Sequence, residues 1–225
     1  MIIAIDGPAG SGKSTTAKAI AHKLGLKFID TGAMYRAITL KFIQSDVDLS
    51  DIDKLKKILG ETRIDFKESE DQLSVYMDGV DVTESIRSKE VTELVSQVSV
   101  IPEVRNALVP VQRKLAEGED VVAEGRDIGT VVFPEAELKI FMVASETERA
   151  KRRLKEMQEK RIKIDYEEVQ ESIKMRDTID STRVHSPLTK APDAVEVDTT
   201  NLTFEEQVNL IITLYKSRAA VNFKG

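Results

Sequence analysis

Short apolar runs alternate with segments of helical periodicity along the first part of the chain. Met1 to Ile5 is an apolar run of strand length, and Ser14 to Leu24 carries Ala, Ile and Leu at helical spacing, with Gly25 placed to end that helix. A second run, Leu26 to Ile29, precedes another helical pattern that opens at Asp30. Strand, helix, strand and helix at this spacing predict a parallel sheet with crossover helices.

The pattern changes between about residues 60 and 85. Arg63 to Phe66 and Leu73 to Met77 alternate apolar and polar residues, Asp78-Gly79 is a turn signal, and the alternation resumes from Val80 to Val82. This region predicts a small antiparallel hairpin inserted into the α/β body.

Helical patterns and apolar runs alternate again in the second half. The predicted helices are Lys89 to Val98, Val104 to Leu115 and Phe204 to Ser217. The predicted strands are Val121 to Ala123, Leu138 to Ala144 and Ala194 to Val197. Together the runs predict a three-layer α/β fold around a parallel sheet of about five strands.

A phosphate-binding loop (P-loop) follows the first predicted strand. Its residues are Gly7, Pro8, Ala9, Gly10, Ser11, Gly12, Lys13, Ser14 and Thr15, which satisfy G-x-x-x-x-G-K-[ST]. Glycines let backbone N–H groups close around an anion, at the positive N-terminus of the next helix. We expect Lys13 to meet the β and γ phosphates of ATP and the Ser14 hydroxyl to bind Mg²⁺. The alternative is a Gly-rich turn that only joins a strand to a helix.

Composition and charge narrow the class of protein. The chain has 225 residues, 41% hydrophobic and 32% charged, with 5% aromatic residues and a net charge of -6. That charge counts against a general nucleic-acid binder, which needs a basic surface. The chain contains no cysteine, which suits a reducing compartment. The opening apolar run is too short for a signal peptide, and no later run has the length of a membrane span. We therefore expect a cytoplasmic protein without nucleic-acid or membrane partners.

Charged residues follow two of the predicted strands, where open α/β sheets bind ligands. Asp30 to Arg36 comes after the second strand, and Arg36 there could clamp a phosphate or lie on a solvated helix face behind an Asp or Thr cap. Gly125 to Gly129 comes after the strand at Val121 to Ala123 and predicts a tight turn that offers Arg126 and Asp127 to a ligand. A structural Arg–Asp salt bridge is the alternative.

Two helical segments carry further candidates. Arg176, Asp180 and Arg183 have the spacing of one helix face, although Ser181-Thr182 and Pro187 indicate that the helix ends before Arg183. An ion pair within the helix explains the first two equally well. The charged run Glu146 to Lys163 is typical of a solvated helix. In a phosphoryl-transfer enzyme its arginines could instead act from a lid that closes over the donor; they are Arg149, Arg152 and Arg153.

Taken together, these segments resemble the bacterial cytidylate kinases (CMP kinases), which are P-loop nucleoside monophosphate kinases, over nearly the whole chain. The residues that carry the resemblance are Ile5 to Lys13, Asp30 to Arg36, Ser96 to Val98, Pro102 to Arg105, Glu124 to Pro134 and Arg176 to Arg183. The P-loop alone occurs in many families, whereas the ordered set is specific. Glu124 departs from the pattern, in which Asp is common, so no role is assigned to it.

The resemblance implies a domain organisation. Residues 1–62 would hold the P-loop core and the start of the region that binds the nucleoside monophosphate (NMP). Residues 63–100 would be its β-rich insert, residues 146–165 a helical lid, and residues 101–145 and 166–225 further parts of the core. We expect a monomer.

The resemblance also implies roles for single residues. Lys13, Arg126 and Arg183 would carry catalysis. The CMP site would comprise Thr31, Tyr35, Arg36, Ser96, Arg105, Arg126, Asp127, Arg176, Asp180 and Arg183. Among these, Arg36, Arg126 and Arg176 would hold the phosphate, and Ser96, Arg105, Asp127 and Arg183 would surround the cytosine. A carboxylate or hydroxyl acceptor beside an Arg donor suits cytosine, which pairs a 4-amino donor with N3 and O2 acceptors.

The expected reaction is transfer of the γ-phosphoryl group of MgATP to CMP or dCMP, in pyrimidine nucleotide metabolism. The alternatives are a P-loop kinase acting on UMP, shikimate or dephospho-coenzyme A, a regulatory GTPase, and an RNA-binding module. The chain has no Asp-x-x-Gly and no Asn-Lys, the sequences a GTPase switch requires. The acidic balance disfavours the RNA-binding module.

Overall fold

The computed structural model describes residues 1–68, 73–159 and 162–222. The chain divides into two compact units, a core unit of residues 1–29 and 115–225 and a second unit of residues 30–114. Within the described part of the chain, no helix has the length and apolar character needed to cross a lipid bilayer.

The core unit is built on a five-stranded sheet in the order β2-β6-β1-β7-β8. Its strands are β1 (Ile2–Asp6), β2 (Lys27–Asp30), β6 (Val121–Gly125), β7 (Leu138–Val143) and β8 (Val195–Asp198). The printed pairs β1–β6, β1–β7 and β7–β8 are all parallel. Buried apolar residues fill β1 and β6, as expected for strands in the middle of a parallel sheet. The predicted α/β fold is confirmed.

The core unit carries α-helices at several places along its described residues. They are α1 (Lys13–Leu24), α6 (Glu146–Glu159), α7 (Tyr166–Thr182) and α8 (Phe204–Asn222). Helix α1 ends at Gly25, whose φ of 65° is the left-handed conformation expected from the sequence. The charged run predicted as helical to Lys163 is helical to Glu159, and residues 160 and 161 lie outside the described residues.

The second unit combines helices with the predicted insert. Its helices are α2 (Thr31–Gln44), α3 (Ile52–Glu61), α4 (Lys89–Ser99) and α5 (Pro102–Leu115). Strands β3 (Ile64–Glu68), β4 (Leu73–Met77) and β5 (Val80–Asp81) form a three-stranded antiparallel sheet. The hairpin prediction is confirmed for its described residues. Apolar side chains of α2, β4 and α4 share one cluster, which packs the insert against α2.

Candidate active site

The P-loop follows β1 at the carboxyl end of the central strand, and it has the predicted backbone. Gly10 and Gly12 have φ values of 76° and 90°, a region in which a side chain would be strained. A Cβ at Gly7 would collide with the carbonyl oxygen of Met142 on β7. Helix α1 begins at Lys13, so its first N–H groups face the loop. The loop is therefore an anion-binding cradle rather than a plain turn.

Lys13 is buried beside a carboxylate. Its Nζ lies 3.3 Å from the Pro8 carbonyl oxygen and 4.0 Å from Glu124 Oε2. The pKa of Lys13 is lowered to about 7, chiefly by burial and then by the positive charge of Arg126, whereas Glu124 favours the charged form. An anionic ligand in the cradle would restore the charge of this ammonium group.

Ser14 and Glu124 form an oxygen pair at the start of α1. Ser14 Oγ donates a 2.7 Å hydrogen bond to Glu124 Oε1. Hydroxyl and carboxylate oxygens are the ligand type that Mg²⁺ prefers. In the described ranges, no three His, Cys, Asp or Glu side chains cluster as a metal site. Sequence analysis assigned no role to Glu124, because Glu stands there where Asp is common. In the structure, the pairing of β1 with β6 brings Glu124 to Ser14.

Two arginines of α6 hold the P-loop by its carbonyl groups. Arg149 Nη1 donates to the Ala9 carbonyl oxygen at 3.1 Å and lies 2.6 Å from Asp177 Oδ2 on α7. Arg152 Nη1 donates to the carbonyl of Ser11 at 3.3 Å and to Thr199 Oγ1 at 3.0 Å. In the described structure these two predicted lid residues contact the loop itself.

Arg153, the third predicted lid arginine, contacts its own helix. Its Nη1 lies 2.6 Å from Glu156 Oε2, a pair three residues apart. A partly exposed pair of this kind contributes little to stability and can open at low cost.

The segment after β6 is a helical turn rather than the tight turn predicted around Gly125 and Gly129. Residues Ile128–Val132 form a single π-helical turn. The Ile128 and Gly129 N–H groups donate to Asp6 Oδ1 and Oδ2, both at 2.7 Å. A carboxylate at the end of β1 thus holds the turn, and neither Gly125 nor Gly129 has a left-handed backbone.

Arg126 pairs with α7 rather than with its neighbour Asp127. Its Nε lies 2.6 Å from Asp180 Oδ2, and Arg183 Nη2 lies 3.9 Å from Asp127 Oδ1. Burial alone would raise the pKa of Asp180, but Arg126, followed by Arg176 and Arg183, lowers it. Helix α7 ends at Thr182, as the sequence indicated, and Arg183 leaves in an extended conformation.

The core unit therefore brings together many of the predicted residues. Two ion pairs link them, Arg126 with Asp180 and Arg183 with Asp127. The positive charge of Arg176 lowers the pKa values of both Lys13 and Asp180. This concentration of arginines beside a P-loop suits a second anion next to the first.

The second unit places its predicted residues on α2, α4 and α5. Asp30 caps α2 by accepting a hydrogen bond from the Ala33 N–H at 2.9 Å. An Asp or Thr cap was part of the alternative interpretation of this segment. Arg36 is half-buried, and its Nη1 donates to Thr92 Oγ1 at 3.0 Å, so it does not lie on a solvated face. The Arg105 guanidinium lies 5.7 Å from the centre of the Tyr35 ring. Thr31 and Ser96 are buried.

Comparisons with known proteins agree on one family. A family model described as cytidylate kinase matches residues 3–217. The chain is 50% identical over 211 residues to a cytidylate kinase of Fusobacterium nucleatum subsp. nucleatum, covering 94% of this chain and 95% of that protein. It is 52% identical over 209 residues to a cytidylate kinase of Caldanaerobacter subterraneus subsp. tengcongensis, covering 93% and 92%.

A solved structure also shares the fold. The crystal structure of an uncharacterized protein from Eubacterium ventriosum matches with a TM-score of 0.51 at 14% identity. The match covers 96% of this chain and 99% of that one.

Proposed function

The chain belongs to the cytidylate kinase family, and from this premise we propose that it transfers the γ-phosphoryl group of ATP to CMP, giving ADP and CDP. The observation that carries the proposal is the match to relatives of that name at about half identity over more than nine-tenths of both chains. We extend the proposal to dCMP as a second acceptor, to Mg²⁺ as the metal, and to the cytoplasm as the location.

The donor side of the proposed reaction uses the P-loop. Residues 7–15 would bind the ATP phosphates through backbone N–H groups, and Lys13 would meet the β and γ phosphates. Ser14, with Glu124 behind it, would hold Mg²⁺, which supplies neutralisation of the charge that develops on the phosphates. Arg153, whose partner lies on its own helix, is the α6 arginine best placed to turn toward the donor.

The acceptor-side roles are assigned from the resemblance to the cytidylate kinases, and several of them fall on arginines. In the core unit Arg126 and Arg176 would hold the CMP phosphate, while Asp127 and Arg183 would contact the cytosine and Asp180 the sugar. In the second unit we assign Arg36 to the phosphate. The remaining members of this unit's group are Thr31, Tyr35, Ser96 and Arg105.

The transfer needs no protein nucleophile. The attacking atom is an oxygen of the CMP phosphate, already anionic, so the enzyme's task is to hold two repelling anions in line. Lys13, Arg126 and Arg183 would offset that repulsion in a water-poor site. The bond from the γ phosphorus to the bridging oxygen of ADP breaks as the new one to CMP forms.

A coupled ADP-release assay on CMP, dCMP, UMP and AMP tests the function. We expect turnover with CMP and dCMP and much slower turnover with UMP, whose base reverses the donor and acceptor at the edge that is recognised. Each mismatch with a buried polar group costs about 1–3 kcal/mol. Purified, folded protein that fails on every cytidine monophosphate would overturn the proposal.

A further inference from the structure

Asp6 fixes the backbone on both sides of the dipeptide Arg126-Asp127. It is the last residue of β1, and Gly7 of the P-loop follows it directly. In the sheet it pairs in register with Gly125, the residue before Arg126. Its side chain accepts the N–H groups of Ile128 and Gly129, which come directly after Asp127. One residue therefore fixes the backbone on either side of this pair.

The carboxylate suits this place better than other side chains of its size. Two N–H donors converge on Asp6, one on each oxygen, at 2.7 Å. An asparagine offers one acceptor and would turn an NH₂ group toward the second N–H donor. The residue is only 4% exposed, so water is a poor substitute for the lost acceptor.

Gly129 lies close to the Asp6 carboxylate. A Cβ added at Gly129 would lie 3.3 Å from Asp6 Oδ2 and 3.2 Å from Lys139 Cδ. The absence of a side chain at Gly129 thus lets the turn approach the carboxylate closely. Both Asp6 and Gly129 are therefore needed for this contact.

We propose that Asp6 is a positioning residue for phosphoryl transfer: it fixes Arg126 and Asp127 relative to the P-loop without contacting either nucleotide. The inference rests on the proposed function, in which Arg126 holds the CMP phosphate. A displacement of about 1 Å at such a group can cost about 100-fold in rate. The P-loop has independent supports in Arg149 and Arg152, so ATP binding should depend on Asp6 far less than use of CMP does.

The test is the kinetics of Asp6→Asn in the full chain, with Asp53→Asn as the matched control. Asp53 is an exposed carboxylate in the first turn of α3, so its variant removes the same charge away from the turn contact. We expect Asp6→Asn to lower kcat/KM for CMP about 10-fold or more while KM for ATP changes less than about twofold. The control should match wild type.

Gly129→Ala is the second variant, and it decides the question if Asp6→Asn does not fold. This variant keeps the carboxylate but adds a methyl group that crowds the contact between Gly129 and Asp6. It should therefore lower kcat/KM for CMP as Asp6→Asn does and leave KM for ATP nearly unchanged. A folded Asp6→Asn or Gly129→Ala with wild-type kcat/KM for CMP, or with equal losses for CMP and ATP, would overturn the inference. Wild-type protein without CMP kinase activity would instead overturn the proposed function.

Discussion

Ser14 donates a 2.7 Å hydrogen bond to Glu124, although 110 residues separate them in the chain. The contact exists because β6 lies beside β1, so that the end of β6 reaches the start of α1. Lys13 lies 4.0 Å from the other oxygen of the same carboxylate. Glu124 therefore touches both P-loop side chains that would face the nucleotide's phosphates and metal.

Glu124→Gln tests whether this carboxylate supports the metal. The substitution keeps the shape but removes the negative charge beside Ser14, so a cation there loses electrostatic support. We expect the Mg²⁺ concentration for half-maximal activity to rise about 10-fold or more, with a smaller change in KM for CMP. Mg²⁺ titration of turnover at saturating CMP measures this.

The matched control for this variant is Glu119→Gln. Glu119 is exposed and precedes β6, so the same charge is removed away from the P-loop. An unchanged Mg²⁺ requirement in Glu124→Gln, with both variants folded, would show that Glu124 serves only to hold Ser14.

Lys13→Ala should separate activity from stability. The ammonium group would neutralise phosphate charge in the transition state, so its removal should lower kcat about 100-fold or more. Because burial lowers the pKa of Lys13 to about 7, the folded protein already disfavours the charge, and the variant should not melt at a lower temperature. Steady-state kinetics and thermal unfolding of the same preparation provide both measurements.

Lys23→Ala is the control for that experiment, since Lys23 is exposed on the same helix. It should retain full activity. A Lys13→Ala protein with wild-type kcat would contradict the assignment of the P-loop as the ATP site.

The sequence predicts best those features that local residues determine. The P-loop is contiguous, and glycine positions with their φ values follow from the motif itself. The hairpin at Asp78-Gly79 also follows from a local turn signal. Helix α3, in which five of the ten residues are charged, was missed. Its signals were Asp51, which accepts the Lys54 N–H, and the single fully buried Leu55.

The contacts within the site could be predicted only with knowledge of the order of strands in the sheet. The sequence could name Arg126 and Asp180 separately, and for Asp180 an ion pair with Arg176 on its own helix was one of two open interpretations. The partner across 54 residues appears only when α7 lies beside the end of β6. Asp6 was likewise seen only as the end of an apolar run, because its two amide donors lie more than a hundred residues away.

Asp180→Asn tests the pairing of Arg126. The change leaves the partly buried Arg126 guanidinium without its nearest counter-charge. Breaking a fully buried pair costs about 3–5 kcal/mol, which is the upper limit for this pair. We expect a lower melting temperature and a KM for CMP raised about 10-fold or more. Glu171→Gln, an exposed change on the same helix, should alter neither. If Asp180→Asn bound CMP as wild type does, the proposed contact of Asp180 with the nucleotide would be wrong.

The ionisation of Asp6 should make the free energy of unfolding depend on pH. Burial raises the pKa of Asp6 from its ordinary value of 3.8 to about 6; Asp127 raises it as well, whereas the two amide N–H groups and Arg126 oppose the shift. The folded state therefore binds this proton more tightly than the unfolded state. Its contribution to stability is present below about pH 4 and is lost as the pH rises through about 6. The loss amounts to about 3 kcal/mol.

Other carboxylates act in the opposite direction, because the pKa of Asp180 is lowered and its contribution grows as the pH rises. The Asp6 effect must therefore be read as a difference between two proteins. Urea unfolding of wild type and Asp6→Asn at several pH values between 4 and 7 isolates it, since the variant lacks only the titrating group. The free energy of unfolding of wild type should fall relative to the variant across this interval. Parallel curves would mean that Asp6 titrates at its ordinary pKa, and the two amide hydrogen bonds would then hold an ionised carboxylate throughout.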